Sequence, residues 1–208
     1  MNGIIKKKDS KRRLEQLTDV FLKDLFTAIL NVEDNYYAYS TKHLNGSYQQ
    51  QEQLERVFAY ELYHQWSKLL ERYNKKNKND KRVINGEVGK KLDFCNVFPD
   101  MILHKGQEDI HNQEIAIEIK RKISLSEENL LNDLEKLSDM LTEGKLSDCA
   151  TPFKYSVFIL IGGNESDITR ILKQEKINNI NDNIFCVFCQ KKGELAFKTM
   201  DEIKAQIA

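Results

Sequence analysis

The N-terminal part of the chain carries apolar residues at helical spacing. In residues 10 to 32 they recur at intervals of three and four, which predicts a first helix that we interpret as an arm or lid: Leu14, Leu17, Phe21, Leu25 and Ile29. The same spacing from residue 51 to about 73 predicts a second helix with the stripe Leu54, Phe58, Leu62, Trp66 and Leu69. The polar and aromatic segment 35 to 51 has no steady period, so we predict a connecting loop there.

The apolar period then changes to that of strands. Three short segments predict strands, namely "RVINGEV" from residue 82, "NVFPDMILH" from 96 and "QEIAIEIK" from 113. A helix follows, with Ser124 and Glu127 as a capping box, Gly144 as its stop and the stripe Leu130, Leu134, Leu137 and Leu141. The remaining pattern predicts a strand buried on both faces at 154 to 162, a helix at 165 to 175, a strand at "NIFCVFC" and a terminal helix at "TMDEIKAQ".

The order of these elements predicts the fold class. A core of α-β-β-β-α-β, with a further α-β behind it, indicates an α/β fold with a mixed central sheet covered by helices. The connection from residue 120 to 154 is long enough to return the chain parallel to an earlier strand. We divide the chain into an N-terminal helical arm and loop, residues 1–50, and an α/β domain, residues 51–208.

Composition limits the environment and the partners of the protein. The chain has 208 residues, 40% of them hydrophobic, and its basic and acidic residues balance at 32 each, so no global charge attracts nucleic acid or membrane. The longest apolar run, 157 to 161, is too short to span a bilayer, and we expect a cytoplasmic protein with no membrane partner. Cys186 and Cys189 would point to opposite faces of a strand, which predicts buried cysteines rather than half of a zinc site.

Charged residues interrupt two of the predicted strands. Asp100 follows Pro99 inside the apolar run "VFPDMILH", where a buried carboxylate needs an ion partner, hydrogen bonds or a metal. In the next strand three isoleucines face one side, while Glu118 and Lys120 face the other. An amphipathic strand with its polar face in water would show the same alternation. The carboxylate of Asp100 favours a polar cluster instead.

The two acids come together only in some registers of a hairpin whose turn is formed by residues 105 to 112. Directly opposed residues share a face, so the two residue numbers must sum to an even value, as they do for Asp100 and Glu118. An odd register would separate the carboxylates. Pro99 cannot donate to the ladder and predicts a strand edge or a bulge, and a bulge there would bring the carboxylates back together.

Two converging carboxylates of this kind suit a hard cation. They form an oxygen site for Mg²⁺ or Mn²⁺, to which the backbone carbonyl of Ile119 could add a third ligand. Such a metal would polarise a phosphodiester and lower the pKa of a bound water. Lys120, on the same face as Glu118, would orient the attacking water and offset charge in the transition state. An ion pair with Glu118 is the structural alternative for this lysine.

The motif Pro99-Asp100, followed by Glu118-x-Lys120 behind an N-terminal helix, resembles the PD-(D/E)XK nuclease-like superfamily. The resemblance covers residues 51 to 162, and "ERVFAYEL", "VINGEV", "FPDMILHK" and "IAIEIKRK" look in order and spacing like small bacterial members in phage-related and defence settings. It implies a restriction-endonuclease-like αβββαβ core with an extra N-terminal helix. The implied activity is Mg²⁺-dependent or Mn²⁺-dependent hydrolysis of phosphodiester bonds in DNA, in a defence, repair or mobile-element context. Asp100 and Glu118 would bind the metal, and Lys120 would be catalytic.

The superfamily often adds an acid from the first core helix, which implies Glu55 as a further metal ligand. Glu55 stands at the "ER" start and, at about 100° per residue, lies between Leu62 and Trp66 on the apolar stripe. Glu61, nearer the edge of the stripe, and Glu87 in "NGEV" are the alternatives. An exposed acid in the first turn would merely favour the helix dipole.

The resemblance implies a nucleic-acid partner, with DNA the expected one. Basic runs at 6–13, 74–82 and 120–122 would contact phosphates, although such runs are usually solvated surface. The tyrosines at 36, 37, 39 and 48 would stack on unpaired bases or pack within their loop. His104, at a strand end, is interpreted as a structural residue or a substrate contact.

Two other functions fit the same residues. A binding module could keep the fold and the nucleic-acid surface without turnover, and it would then bind DNA without binding metal. In an interaction protein with a helical arm, the acids and Lys120 would make structural ion pairs. The sequence is compatible with a homodimer in each case.

Overall fold

The computed structural model describes residues 7–37, 49–86, 99–106, 112–145, 151–172 and 174–207. Its α-helices are α1 (Lys7–Gln16), α2 (Val20–Asn31), α3 (Gln49–Lys76), α4 (Glu127–Met140), α5 (Glu165–Ile171), α6 (Gln174–Ile177) and α7 (Met200–Ile207). Its strands are β1 (Val83–Gly86), β2 (Met101–His104), β3 (Gln113–Arg121), β4 (Tyr155–Ile161), β5 (Ile184–Cys189) and β6 (Ala196–Thr199). The described residues also contain two short 3-10 helices, Asp34–Tyr36 and Lys122–Ser124.

The strands of the described residues form one mixed, open sheet. Their order is β1-β2-β3-β4-β5-β6. β1, β2 and β3 are successively antiparallel, β3, β4 and β5 are parallel, and β6 is antiparallel to β5. The chain returns through α4 to place β4 beside β3 in parallel, as the length of the connection predicted. The prediction of an α/β fold with a mixed sheet is confirmed.

Helices cover both faces of this sheet. The isoleucines of β3 belong to one core cluster together with Phe58, Leu62 and Trp66 of α3 and the apolar residues of α2. Ala116 belongs to the other cluster, which holds the leucines of α4 and apolar residues of α5 and α7. Because α4 packs over the second face, Glu118 is only 3% exposed. The alternative of an amphipathic strand with its polar face in water is therefore wrong.

The prediction of one continuous helix over residues 10 to 32 is wrong. The chain forms α1 and α2 with a break at residues 17–19, because the Asp19 carboxylate accepts hydrogen bonds from the backbone N–H groups of Phe21 and Leu22. Leu25 and Phe26 of α2 are fully buried in the core that α3 shares. The proposed division of the chain at residue 50 remains a prediction.

Asp19 caps the start of α2 with two hydrogen bonds, so Asp19→Ala is expected to destabilise the protein. Its other carboxylate oxygen lies 2.5 Å from Lys154 Nζ, and the aspartate side chain is 9% exposed. Loss of the cap should lower the free energy of unfolding by about 1 to 2 kcal/mol. Urea denaturation measures the change, with Ser126→Ala as the control, because the Ser126 cap of α4 accepts one exposed hydrogen bond from Asn129 N. Equal losses in the two variants would contradict the prediction.

Three further features differ from those predicted. The capping box of Ser124 and Glu127 is wrong, because α4 begins after Ser126 and it is the Ser126 side chain that accepts from the helix. The helix predicted over 165 to 175 is split into α5 and α6. β6 was not predicted from the sequence. It is too short, at four residues, to show a clear alternation.

The remaining predictions have simple outcomes. Cys186 and Cys189 are buried free cysteines in opposite core clusters, as their spacing predicted. The described irregularity between β2 and β3 falls at Leu103 and His104, four residues beyond Pro99. Within the described helices, none has the length and apolar character needed to cross a bilayer.

Candidate active site

The register of β2 and β3 brings the two predicted acids to the same place. Met101 pairs with Ile117, and Ile102 with Ala116. Continuing this pairing by one residue places Asp100 opposite Glu118. The register is thus the even one that convergence requires, and opposed residues share a face of the sheet.

Two carboxylates bind the edge of β3 next to the start of β2. Asp100 Oδ2 accepts a hydrogen bond of 2.7 Å from the backbone N–H of Ile119. Glu55 Oε1 accepts one of 3.0 Å from the backbone N–H of Arg121 and one of 2.7 Å from the hydroxyl of Ser124. Backbone groups two residues apart on a strand are separated by about 7 Å, so these carboxylates lie side by side along the edge. Glu55 thus reaches the site from α3.

Glu118 lies under α4 among charged partners. Its Oε2 is 2.5 Å from Lys136 Nζ, and its Oε1 is 3.6 Å from Lys120 Nζ. Asp133 approaches both lysines, with Oδ2 at 3.4 Å from Lys120 Nζ and Oδ1 at 3.6 Å from Lys136 Nζ. The ion pair foreseen as the structural alternative for Lys120 is present, although Asp133 is its nearer partner.

The surroundings of Glu118 disfavour its charged form. Burial raises the pKa of this carboxyl, and the neighbouring charge of Asp100 raises it further, whereas Lys136 lowers it. The resulting pKa is about 8. A carboxyl with a pKa displaced so far is typical of functional sites, although structural ion-pair networks produce the same displacement.

The pKa values of Asp100 and Lys120 are both raised, but by different causes. Burial raises the pKa of Asp100, and the N–H of Ile119 offsets part of that rise. Burial alone would lower the pKa of Lys120, but the surrounding carboxylates, led by Asp133, raise it above its ordinary value. Lys120 therefore carries a positive charge at neutral pH.

The described residues do not form a ready-made metal cage. No group of three or more His, Cys, Asp or Glu side chains in the described part of the chain stands close enough to hold a metal ion. The carboxylates are hard-oxygen donors of the right chemistry for Mg²⁺ or Mn²⁺. In this conformation, however, the ammonium groups of Lys120 and Lys136 take positions beside Glu118 and Asp133.

The three candidates for the additional acid have different surroundings. Glu55 contacts β3 at the site, whereas Glu61 accepts a hydrogen bond of 2.5 Å from Gln65 on the same helix. Glu87 lies outside the described residues. The catalytic and metal-binding roles assigned to Asp100, Glu118, Ile119, Lys120 and Glu55 remain predictions.

Sequence reasoning missed Asp133 and Lys136. At about 100° per residue, Asp133 falls between Leu137 and Met140, inside the buried stripe of α4. An aspartate within an apolar stripe was the signal that could have found it. Lys136 lies at the edge of the stripe and carries no comparable signal, because a lysine there reads as ordinary surface.

The predicted nucleic-acid contacts are only partly engaged inside the protein, because the lysines of the second basic run, at 75, 76, 78 and 81, are exposed. Arg82 is buried and paired with Asp80 and Glu114, and Lys122 pairs with Asp167 at 2.9 Å. Tyr37 is buried and donates its hydroxyl hydrogen bond to the Ile29 carbonyl, so its proposed stacking on bases is wrong and its packing within the protein is confirmed.

The other candidate contacts with nucleic acid have different outcomes. Tyr39 and Tyr48 lie outside the described residues, as do the side chains of the first basic run before Arg12. His104 is buried at the end of β2, with its Nδ1 3.0 Å from the Gly106 carbonyl, in keeping with the structural interpretation. Tyr60 and Tyr63 of α3, which the sequence did not single out, are 62% and 41% exposed.

Comparisons of the chain with protein-family models, with curated proteins and with solved structures find no match.

Proposed function

We propose that the protein is a metal-dependent nuclease that hydrolyses phosphodiester bonds in DNA. The observation that carries the proposal is the meeting of Asp100, Glu118 and Lys120 on one face of two adjacent strands. Buried carboxylates are costly, and the two buried ones, Glu118 and Asp133, with the half-buried Asp100 and Glu55 near the same two lysines, are more than packing requires. A cytoplasmic role in defence, repair or mobile-element biology belongs to the same proposal.

The order of elements supports a restriction-endonuclease-like core. α3, β1, β2, β3, α4 and β4 follow one another as α-β-β-β-α-β, and the candidate residues lie where β2 begins and β3 ends. The extra N-terminal helix of the proposal corresponds to α1 and α2 together.

The proposed metal, Mg²⁺ or Mn²⁺, would be held by Asp100, Glu118 and the Ile119 carbonyl, with Glu55 nearby. Ile119 donates its N–H towards the β2 side of β3, and in a strand the carbonyl of the same residue points to the same side. Pro99, opposite Ile119 in the continued register, has no N–H to offer that carbonyl. When bound, the metal would polarise the phosphodiester and lower the pKa of its bound water.

Lys120 would act by its charge. The raised pKa keeps the amine protonated, so it can donate a hydrogen bond to the attacking water or to a phosphate oxygen but cannot remove a proton. Its positive charge would stabilise the negative charge that develops on the phosphate during attack. Asp133, 3.4 Å away, would keep the ammonium charged and oriented.

Exposed aromatic side chains on α3 would extend the substrate surface. Tyr60 and Tyr63 stand on successive turns of the helix that carries Glu55, with the exposed side chain of Arg56 on the same face. Tyrosine rings offer stacking surfaces to unpaired bases without reading sequence. This surface would favour substrates with single-stranded segments.

A second candidate function is a nucleic-acid-binding or interaction module without turnover. It is favoured by the ion pairs around Glu118, which satisfy the buried charges without any metal. In that case Asp100 and Glu55 would serve the fold by binding the N–H groups of Ile119 and Arg121.

A cleavage screen tests the proposed function. The protein is incubated with single-stranded, duplex and branched DNA, and with matching RNA, in Mg²⁺, in Mn²⁺ and in EDTA. We expect cleavage of DNA that requires the metal and stops in EDTA. Binding of DNA without cleavage in any metal would favour the module instead, and preferential cleavage of RNA would contradict the substrate assignment.

A further inference from the structure

Four ionisable side chains close into a ring in which carboxyl and amino groups alternate. Going round it, Glu118 Oε2 contacts Lys136 at 2.5 Å, Lys136 contacts Asp133 Oδ1 at 3.6 Å, and Asp133 Oδ2 contacts Lys120 at 3.4 Å. Lys120 returns to Glu118 Oε1 at 3.6 Å. Each carboxylate thus uses both of its oxygens, one for each lysine.

The shortest contact in the ring is the one that blocks a proposed metal ligand. Lys136 approaches Glu118 Oε2 more closely than Lys120 approaches Oε1, and the Lys136 side chain is 21% exposed. An ammonium ion and a divalent cation compete for the same carboxylate oxygen, because both bind its lone pairs. A cation that binds Glu118 Oε2 must therefore displace Lys136 from that oxygen.

Lys136 keeps a carboxylate partner when it leaves Glu118. Lys136 and Asp133 are three residues apart on α4, where helix geometry makes them neighbours, so Asp133 remains as a partner after the lysine moves. Lys120 extends from the central strand β3 and is held between two carboxylates.

We propose that Lys136 sets the affinity of the site for divalent cations by occupying Glu118 until a cation displaces it towards Asp133. This inference rests on the proposed function, since it takes Glu118 as a metal ligand. If the ring is closed in about nine-tenths of the molecules, the competition weakens the apparent affinity for the cation about tenfold.

Calorimetric titration with Mn²⁺ tests the first consequence. Lys136→Met keeps the apolar stem and removes the charge, and we expect it to bind Mn²⁺ about tenfold more tightly than the wild type. Lys198→Met is the matched control, because Lys198 is 19% exposed and lies 2.5 Å from Glu165, at a separate ion pair. Its affinity for Mn²⁺ should equal that of the wild type.

Labelling of the wild-type protein tests the displacement itself and does not depend on the folding of a variant. An amine-acylating reagent is applied with and without Mn²⁺, and the extent of modification is measured by peptide mass spectrometry. We expect Lys136 to become several-fold more reactive when Mn²⁺ is present, while Lys198 does not change.

The outcomes separate this inference from the proposed function. A wild type that binds no Mn²⁺ would overturn both. A wild type that binds Mn²⁺ while Lys136 keeps its labelling rate would overturn the displacement and leave the nuclease proposal standing. Unchanged or weaker binding by a folded Lys136→Met would do the same, and only tighter binding together with increased labelling supports the inference.

Discussion

Lys120→Met is expected to lower the rate of metal-dependent DNA cleavage by about a hundredfold to a thousandfold, the usual effect of losing one group that stabilises transition-state charge. The reason is the position of the ammonium between Glu118 and Asp133, on the face where the phosphate would lie. The rate is measured in single turnovers at saturating Mg²⁺, so that substrate binding and product release do not mask the chemical step.

Two measurements test whether the loss of cleavage has a cause other than the missing ammonium group. Lys198→Met removes a comparable ammonium elsewhere and should leave cleavage unchanged. Urea denaturation checks that the variant is folded, because Lys120 is only 25% exposed and its removal takes a partner from the buried carboxylates of Glu118 and Asp133. Cleavage by a folded Lys120→Met at the wild-type rate would rule out the catalytic role and favour a structural ion pair.

The part of the site carried by the strands could be predicted from the sequence. A strand has a period of two residues, so the alternation in β3 determined that Glu118 and Lys120 share a face opposite the isoleucines. The single carboxylate in an apolar run then indicated a partner for Asp100. The sequence required only that the numbers of two opposed residues sum to an even value. The pairing of Met101 with Ile117 in the structure shows which of the even registers the strands adopt.

The part carried by α4 could not be predicted in the same way. Sequence period indicates which residues of a helix face the core, but it does not indicate which strand they cover. Lys136 meets Glu118 because α4 crosses over β3 and β4, and that crossing is a result of tertiary packing. Asp133 was visible as a polar residue in an apolar stripe, although its partners were not.

The N-terminal helix pair shows the same limit at the level of local structure. The apolar period runs through residues 14 to 29 without a break, so it predicts one helix. The capping aspartate at 19 competes with helix continuation by binding two backbone N–H groups ahead of it. The apolar period carries no information about this local hydrogen bonding. The break between α1 and α2 was therefore missed.

Glu118→Gln is expected to remove a large pH dependence of stability. In the wild type the carboxyl has a pKa of about 8 in the folded protein, against 4.5 as its ordinary value, because of burial and the charge of Asp100. Between these values the folded state binds more protons than the unfolded state, so the free energy of unfolding falls as pH rises from about 5 to about 8. The fall attributable to Glu118 should be about 2 to 4 kcal/mol, since each unit of pKa corresponds to about 1.4 kcal/mol.

Urea denaturation of the wild type and of Glu118→Gln at several pH values between 5 and 8 measures this difference. Glu61→Gln is the carboxylate control, because Glu61 lies on the same helix as Glu55 but contacts Gln65 instead of the charged cluster, and its profile should follow the wild type. Parallel profiles for the wild type and Glu118→Gln would contradict the prediction. A divalent cation favours the ionised carboxylate, so saturating Mn²⁺ should flatten the wild-type profile and leave that of Glu118→Gln unaltered, if Glu118 binds the metal.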